Sequence, residues 1–480
     1  MKSLLKYIKD YKKESILAPL FKMLEASFEL MVPLVMASII DRGIAYNDTA
    51  QIIKMGLVLV LLAAVGLVSA VTAQYFSAKA AVGFATKLRS ALFAHIQSLS
   101  YTELDTIGTS TLITRMTSDV NQLQNGVNLT LRLLLRSPFI VFGAMIMAFT
   151  VDVKAALIFV VAIPLLSIVV FGIMIASIPL YKKVQAALDK ILGRTRENLA
   201  GARVIRAFCN EEAETADFEQ ENELLLNTQV FVGKISAAMN PVTYIIINIA
   251  LVVLLWTGAV RVDNGIITQG AVVALVNYMS QILVELVKLA NLIIQLTKAL
   301  ACAKRVEGIF AITSSMEDGK LNANAFSSEN DIGVINGADG SPAIAYDHVS
   351  LTYSGGGDES LTDINFTVKR GETVGIIGGT GSGKTSVVNL IPRFYDATKG
   401  TVRINGKDIR DYQVETLRDM IGVVPQKAVL FKGTIRENLL WGNENASDAD
   451  IEDALRISQA KEFVDTKDGR LDFMIAQGGK

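Results

Sequence analysis

Six stretches of this chain, 15–40, 52–76, 133–151, 155–179, 242–262 and 270–296, are almost continuous apolar sequence. Crossing about 30 Å of hydrocarbon takes about 20 helical residues, and each stretch reaches or approaches that length. Buried helices of a large soluble core are the alternative, but such cores seldom supply six runs of this kind. The expected fold is therefore an α-helical membrane domain of six transmembrane helices. The chain is 51% hydrophobic and only 19% charged over 480 residues, as expected when a membrane part is averaged with a soluble part.

Charge between the runs sets their direction. Lys2, Lys6, Lys9, Lys12 and Lys13 precede the first run, interleaved with Leu4, Leu5, Tyr7, Ile8 and Tyr11. That pattern predicts a short amphipathic helix lying on a membrane surface, and no signal-type cleavage site follows it. The long connections 77–132 and 181–241 are rich in lysine and arginine, among them Lys79, Lys87, Arg89, Lys182, Lys183 and Arg194. The alternate loops 41–51, 152–154 and 261–269 are short and poor in basic residues. A multi-pass protein of the cell membrane follows, with both termini and both long connections in the cytosol. The connections themselves read as continuous helices that extend well below the membrane.

A few polar residues interrupt the runs, where a central charge costs about 2.5–3.5 kcal/mol on insertion scales. Glu25 and Glu29 share one helix face, and Asn277, Gln281 and Glu285 form a stripe on the sixth run. Glu29 and Asn277 are expected to face a water-filled cavity; Glu25, Gln281 and Glu285 are expected to reach water near the cytosolic ends. Cys209 and Cys302 have no metal-type spacing and read as small buried side chains. His95 and His348 read as structural. A net charge of −1 argues neither for nor against nucleic-acid or acidic partners, and no nucleic-acid partner is expected.

Residues 1–312 form the membrane part, 313–341 a linker rich in Ser, Asn, Gly and Asp, and 342–480 a soluble domain. Strand-like alternation occupies 343–351 and 364–368, and 370–372 reads as a turn. The β-branched run 373–377 predicts a buried parallel strand. It leads directly into Gly378, Gly379, Thr380, Gly381, Ser382, Gly383, Lys384 and Thr385, which match G-x-x-x-x-G-K-[ST]. Glycines let backbone N–H groups close around nucleotide phosphates. Lys384 is expected at the β- and γ-phosphates and Thr385 on Mg²⁺, with Ser386 at the α-phosphate.

With these motifs in hand, nearly the whole chain resembles the ATP-binding cassette exporters, specifically bacterial multidrug-type half-transporters. The resemblance implies a partial α/β P-loop ATP-binding domain using ATP and Mg²⁺. It places Tyr353 against adenine and makes Gln426, in the stretch Gly422, Val423, Val424, Pro425, Gln426, a contact to Mg²⁺ and the attacking water. Residues 108–119 and 197–212 resemble the two short coupling helices of the family. A dimer with a second half-transporter subunit, contact with membrane lipid and a small hydrophobic substrate are also implied. The LSGGQ signature, the acidic strand end and the γ-phosphate-sensing histidine of the family do not occur here. The resemblance therefore implies a fragment boundary at Lys480 and no useful hydrolysis by these 480 residues alone. Lipid or peptide translocation on the same architecture, and a non-hydrolysing ATP-binding membrane scaffold, are the alternative readings.

Overall fold

The structure, a computed structural model, describes residues 4–322, 342–427, 429–476 and 478–479. Most of the segment read as a linker, 323–341, lies outside the described residues. The chain divides into two units, Met1–Ser315 and Met316–Lys480.

The first unit is helical. Among the described residues six helices are long and apolar enough to cross a membrane: α1 (Leu4–Ile44), α2 (Thr49–Gln97), α3 (Thr109–Val151), α4 (Val153–Ala200), α5 (Glu211–Asp263) and α6 (Gln269–Phe310). α2 has 49 residues, about 70 Å at 1.5 Å per residue, more than twice the ~30 Å hydrocarbon thickness. The excess is what carries the bundle beyond the membrane. Asp48 caps α2 through the Gln51 amide, Asp152 caps α4 through the Ala155 amide, and Thr268 caps α6 through the Ala271 amide. Each satisfies a donor that a helix start otherwise leaves open.

Small side chains let the helices approach. Ala26, Ala144, Ala148, Ala155, Ala156 and Ala274 are buried in the membrane core with Ile140, Phe159, Leu254 and Tyr278. In lipid, where apolar burial alone does not favour association, such close packing supplies much of the attraction between helices. At Gly270 a β-carbon would lie 2.4 Å from the Ala37 carbonyl oxygen, so the start of α6 tolerates only glycine there. A second core, with Phe84, Leu88, Leu92, Val120, Leu123 and Val306, lies in the helical extensions.

Several features of this unit differ from the sequence expectation. The N-terminal amphipathic turn, a 3₁₀ helix over Leu4–Tyr11, packs on the protein: Leu4 is buried in the second core, and Tyr7 and Ile8 lie against it. Its apolar face meets α2, where Gly83 leaves room for the Tyr11 ring. Cys209 is exposed, because it follows the short helix Ala202–Ala207 at a turn with φ +51°; Cys302 is buried. Residues 109–119 are the first turns of α3, and a separate short helix, Tyr101–Ile107, precedes them. A Ser100–Glu103 capping box starts that helix and Gly108, at φ +80°, ends it. Glu285 is not at a wet helix end; it is buried, as described below.

The second unit carries a four-stranded antiparallel sheet in the order β2–β1–β3–β4, formed by β1 (Ile344–Leu351), β2 (Leu361–Val368), β3 (Lys399–Ile404) and β4 (Lys407–Asp408). Helices α7 (Lys384–Leu390) and α8 (Val414–Asp419) accompany it. Tyr346, Val349, Leu361, Leu390, Val402 and Tyr412 make its core. Leu321, inside the segment read as linker, pairs with Tyr412 and packs on this core. A smaller cluster of Ile451, Leu455, Val464 and Leu471 accompanies a two-stranded ladder of β5 (Gly433–Thr434) and β6 (Met474–Ile475).

The run 373–377 is not the buried parallel strand expected. No ladder reaches it among the described residues, and Val374, Ile376 and Ile377 are 46%, 43% and 94% exposed. Val424, in the stretch 422–426, is likewise outside any ladder among the described residues and 97% exposed. A fully apolar strand is buried only when neighbours cover both faces, and none does so among the described residues.

Candidate functional site

The glycine-rich turn lies between the 373–377 segment and α7. Gly381 and Gly383 both have φ +84°, a left-handed conformation that costs residues with a β-carbon. At Gly383 a β-carbon would also fall 2.6 Å from Leu361 Cδ2, and at Gly378 one would fall 2.6 Å from Ser382 Oγ. The loop therefore closes tightly because glycine stands at these places. The Lys384 ammonium folds back over it, donating to the carbonyls of Gly378 (2.9 Å) and Gly379 (2.7 Å) and to Ser382 Oγ (3.3 Å). A cation over a turn of backbone amides suits a bound polyphosphate.

Tyr353 and Ser386 meet beside the loop. The Tyr353 hydroxyl donates to Ser386 Oγ at 2.9 Å, and its ring lies edge-on to Tyr395 with centroids 4.9 Å apart. Ser386 is buried, and this bond ties Tyr353, two residues beyond β1, to the first turn of α7. Thr380 and Thr385 are exposed in the loop and at the helix start. Gln426 is exposed on the 421–427 segment, and no hydrogen bond joins it to the loop among the described residues. The structure thus brings together Tyr353, Gly378, Gly379, Ser382, Lys384 and Ser386, and leaves Gln426 apart from that set of bonds.

A second polar constellation lies within the helix bundle, and its centre escaped the sequence reading. Arg136 on α3 is buried and bridges two helices. One of its terminal nitrogens donates to Glu29 of α1 at 2.6 Å and the other to Glu285 of α6 at 2.8 Å. Glu285 also accepts from Ser137 at 2.8 Å and from Lys288 at 2.9 Å. Five hydrogen-bonded polar groups on three helices let the Arg136 and Glu285 charges stay buried, while Glu29 and Lys288 remain partly exposed. The available signal was an arginine inside the 133–151 run, on a chain already carrying Glu29 and Glu285 in other spans. Asn277 is exposed and donates back to the Val273 carbonyl, while Gln281 Oε1 is buried with no partner among the described residues.

Comparison with known proteins agrees with both parts. Residues 15–286 match the ABC transporter transmembrane region and residues 361–478 match the ABC transporter domain. An uncharacterized ABC transporter ATP-binding protein of Mycobacterium tuberculosis is 33% identical over 476 residues, 98% of this chain and 80% of the relative. A Bacillus subtilis protein whose name describes a multidrug export ATP-binding/permease protein is 30% identical, over 97% of this chain and 79% of its own. An ATP-dependent lipid A-core flippase of Desulfotalea psychrophila is 31% identical, over 82% of this chain and 66% of its own. A membrane-spanning helix bundle and a phosphate-type loop in one polypeptide, matched over both halves, place the chain in the ABC transporter family, as a half-transporter with its transmembrane region and its ATP-binding domain fused.

Proposed function

We propose that the chain is one half of an exporter that moves amphipathic compounds out of the cytosol by alternating access, driven by ATP. The observation that carries this is the combination of the Lys384-capped phosphate loop with helices about 70 Å long. Helices of that length act as rigid levers, so a change at their cytosolic ends turns the membrane bundle as a body. Two bundles are needed to enclose a pathway, so the partner is a second half-transporter subunit, identical or related. Both termini and the soluble unit lie on one side of the cell membrane, since six crossings return the chain to its starting side, and the lysine- and arginine-rich long connections favour the cytosol as that side.

At the nucleotide site Lys384 holds the β- and γ-phosphates and the backbone of Gly378, Gly379, Thr380, Gly381, Ser382 and Gly383 surrounds them. Thr385 supplies the hydroxyl for Mg²⁺, whose chemistry is to neutralise phosphate charge. Ser386 keeps acceptor and donor capacity toward the α-phosphate while bonded to Tyr353, whose ring offers a surface for adenine. Gln426 contributes to metal and water positioning from its separate segment. Two relatives are named for multidrug export and for lipid A-core flipping, and an amphipathic substrate class is our reading in line with those names.

A stimulation screen on the partner-assembled protein tests the reading. ATPase activity should rise severalfold with amphipathic drugs or lipids and stay at baseline with hydrophilic peptides. Stimulation by peptides alone would replace this reading with a peptide translocator.

A further inference from the structure

A cleft of about 380 Å³ opens between α1 and α2 with apolar walls from Phe28, Val32, Leu62 and Gly66. Its polar end is formed by Glu25, Glu29 and Arg136. Glu29 keeps 41% of its side chain exposed although it is ion-paired, whereas the Arg136 side chain is 8% exposed. Arg136 Nε has no hydrogen-bond partner among the described residues, an unmet donor on a cation that lines the cleft. Nε itself is closed off from the cleft, but each terminal nitrogen of Arg136 makes one hydrogen bond and carries a second N–H, so a ligand oxygen at the polar end is a natural complement.

The charges around this end balance. Lys22 pairs with Glu25 at 2.5 Å, Arg136 with Glu29 and Glu285, and Lys288 with Glu285. A ligand with net charge would leave one of these groups uncompensated in a medium of low dielectric constant. A ligand carrying one anion and one cation close together avoids that: its cation meets the open Glu29 carboxylate, its anion meets Arg136, and the sum stays zero. The apolar walls then receive a hydrocarbon chain.

We propose that this cleft is a binding site for a zwitterionic amphiphile, held by Glu29 and Arg136 at its head and by the α1 and α2 side chains along its tail. The proposal rests on the export reading and deepens it by naming the charge type of the cargo.

Equilibrium binding of three chain-matched probes to the protein in a nonionic detergent, read by native mass spectrometry, tests it. The probes are dodecylphosphocholine, dodecyltrimethylammonium and dodecyl phosphate. The zwitterion should bind about tenfold more tightly than either singly charged probe. Glu29→Gln should abolish that preference. Gly66→Leu should weaken binding of dodecylphosphocholine by a similar factor, because a side chain there enters the cleft and a β-carbon meets no atom within 4 Å. That second variant leaves the ion network intact, so a loss of binding in it reports on the cleft. Equal binding of the three probes, no binding of any, a preference that survives Glu29→Gln, or undiminished dodecylphosphocholine binding in Gly66→Leu would overturn the proposal. Binding is read without turnover, so its failure leaves the transport reading standing, and a failure of transport leaves a positive binding result in place.

Discussion

Arg136 shows how a single side chain can fix the arrangement of three membrane helices. Glu285 is 3% exposed at its side chain and sits between Arg136, Ser137 and Lys288. Glu285→Gln removes the countercharge of a buried guanidinium and should cost about 3 kcal/mol, the low end for a broken buried pair, because Glu29 still faces Arg136. A fall of several degrees in the thermal unfolding midpoint of the detergent-solubilised protein is the expected reading; an unchanged midpoint would show the network to be ornamental. Nothing local in the sequence separated this arginine from Arg132 four residues earlier, which the loop-charge pattern assigns to the cytosol. The burial of a charge is decided by partners on other helices, and the 133–151 run alone does not carry that information.

His348 is the second residue with a definite expectation. Its Nδ1 lies 2.6 Å from Asp363 Oδ1, and the hydrogen bond and charge of that carboxylate raise the imidazole above its ordinary value of about 6.5 while Asp363 is held below its own. A raised histidine stabilises the fold below its ordinary pKa and loses that contribution as pH rises through the raised value. The lowered aspartate stabilises above its ordinary value and loses its contribution as pH falls through the lowered one. The pair therefore acts between those two limits. An NMR titration should put the His348 midpoint above 6.5, and Asp363→Asn should bring it down; a wild-type midpoint at or below 6.5 would contradict the geometry.

Among the elements, the six long helices were legible because length and apolar content alone decide whether a helix can span lipid. The tight glycine-rich turn was equally legible: Gly381 and Gly383 stand at torsion angles that favour glycine, and sequence states them directly. Gly383 makes the case quantitative. With φ +84° and a virtual β-carbon 2.6 Å from Leu361 Cδ2, Gly383→Ala strains both backbone and packing. Nucleotide affinity, measured with a fluorescent ATP analogue, should fall at least about tenfold, the equivalent of 1.4 kcal/mol. Unchanged affinity would mean that the loop reshapes freely. The 373–377 run was misread for the opposite reason. Its β-branched residues report a strand tendency, but burial depends on neighbouring strands, and Ile377 remains 94% exposed. The N-terminal turn was misread similarly: an amphipathic face shows that something apolar covers it, and here protein rather than lipid covers Leu4.

At the scale of the molecule, one membrane unit and one ATP-binding unit share a chain. Charge sits in each unit where a function needs it: a lone lysine over a glycine turn in one, a balanced ion network among apolar helices in the other. The central claim is that nucleotide held under Lys384 powers movement of cargo through the helix bundle. ATP-dependent uptake of an amphipathic fluorophore into inside-out vesicles, comparing the partner-assembled wild type with Lys384→Ala at equal protein amount, tests it most directly. The account predicts accumulation by the wild type and none above background by the variant; equal uptake by both would contradict it.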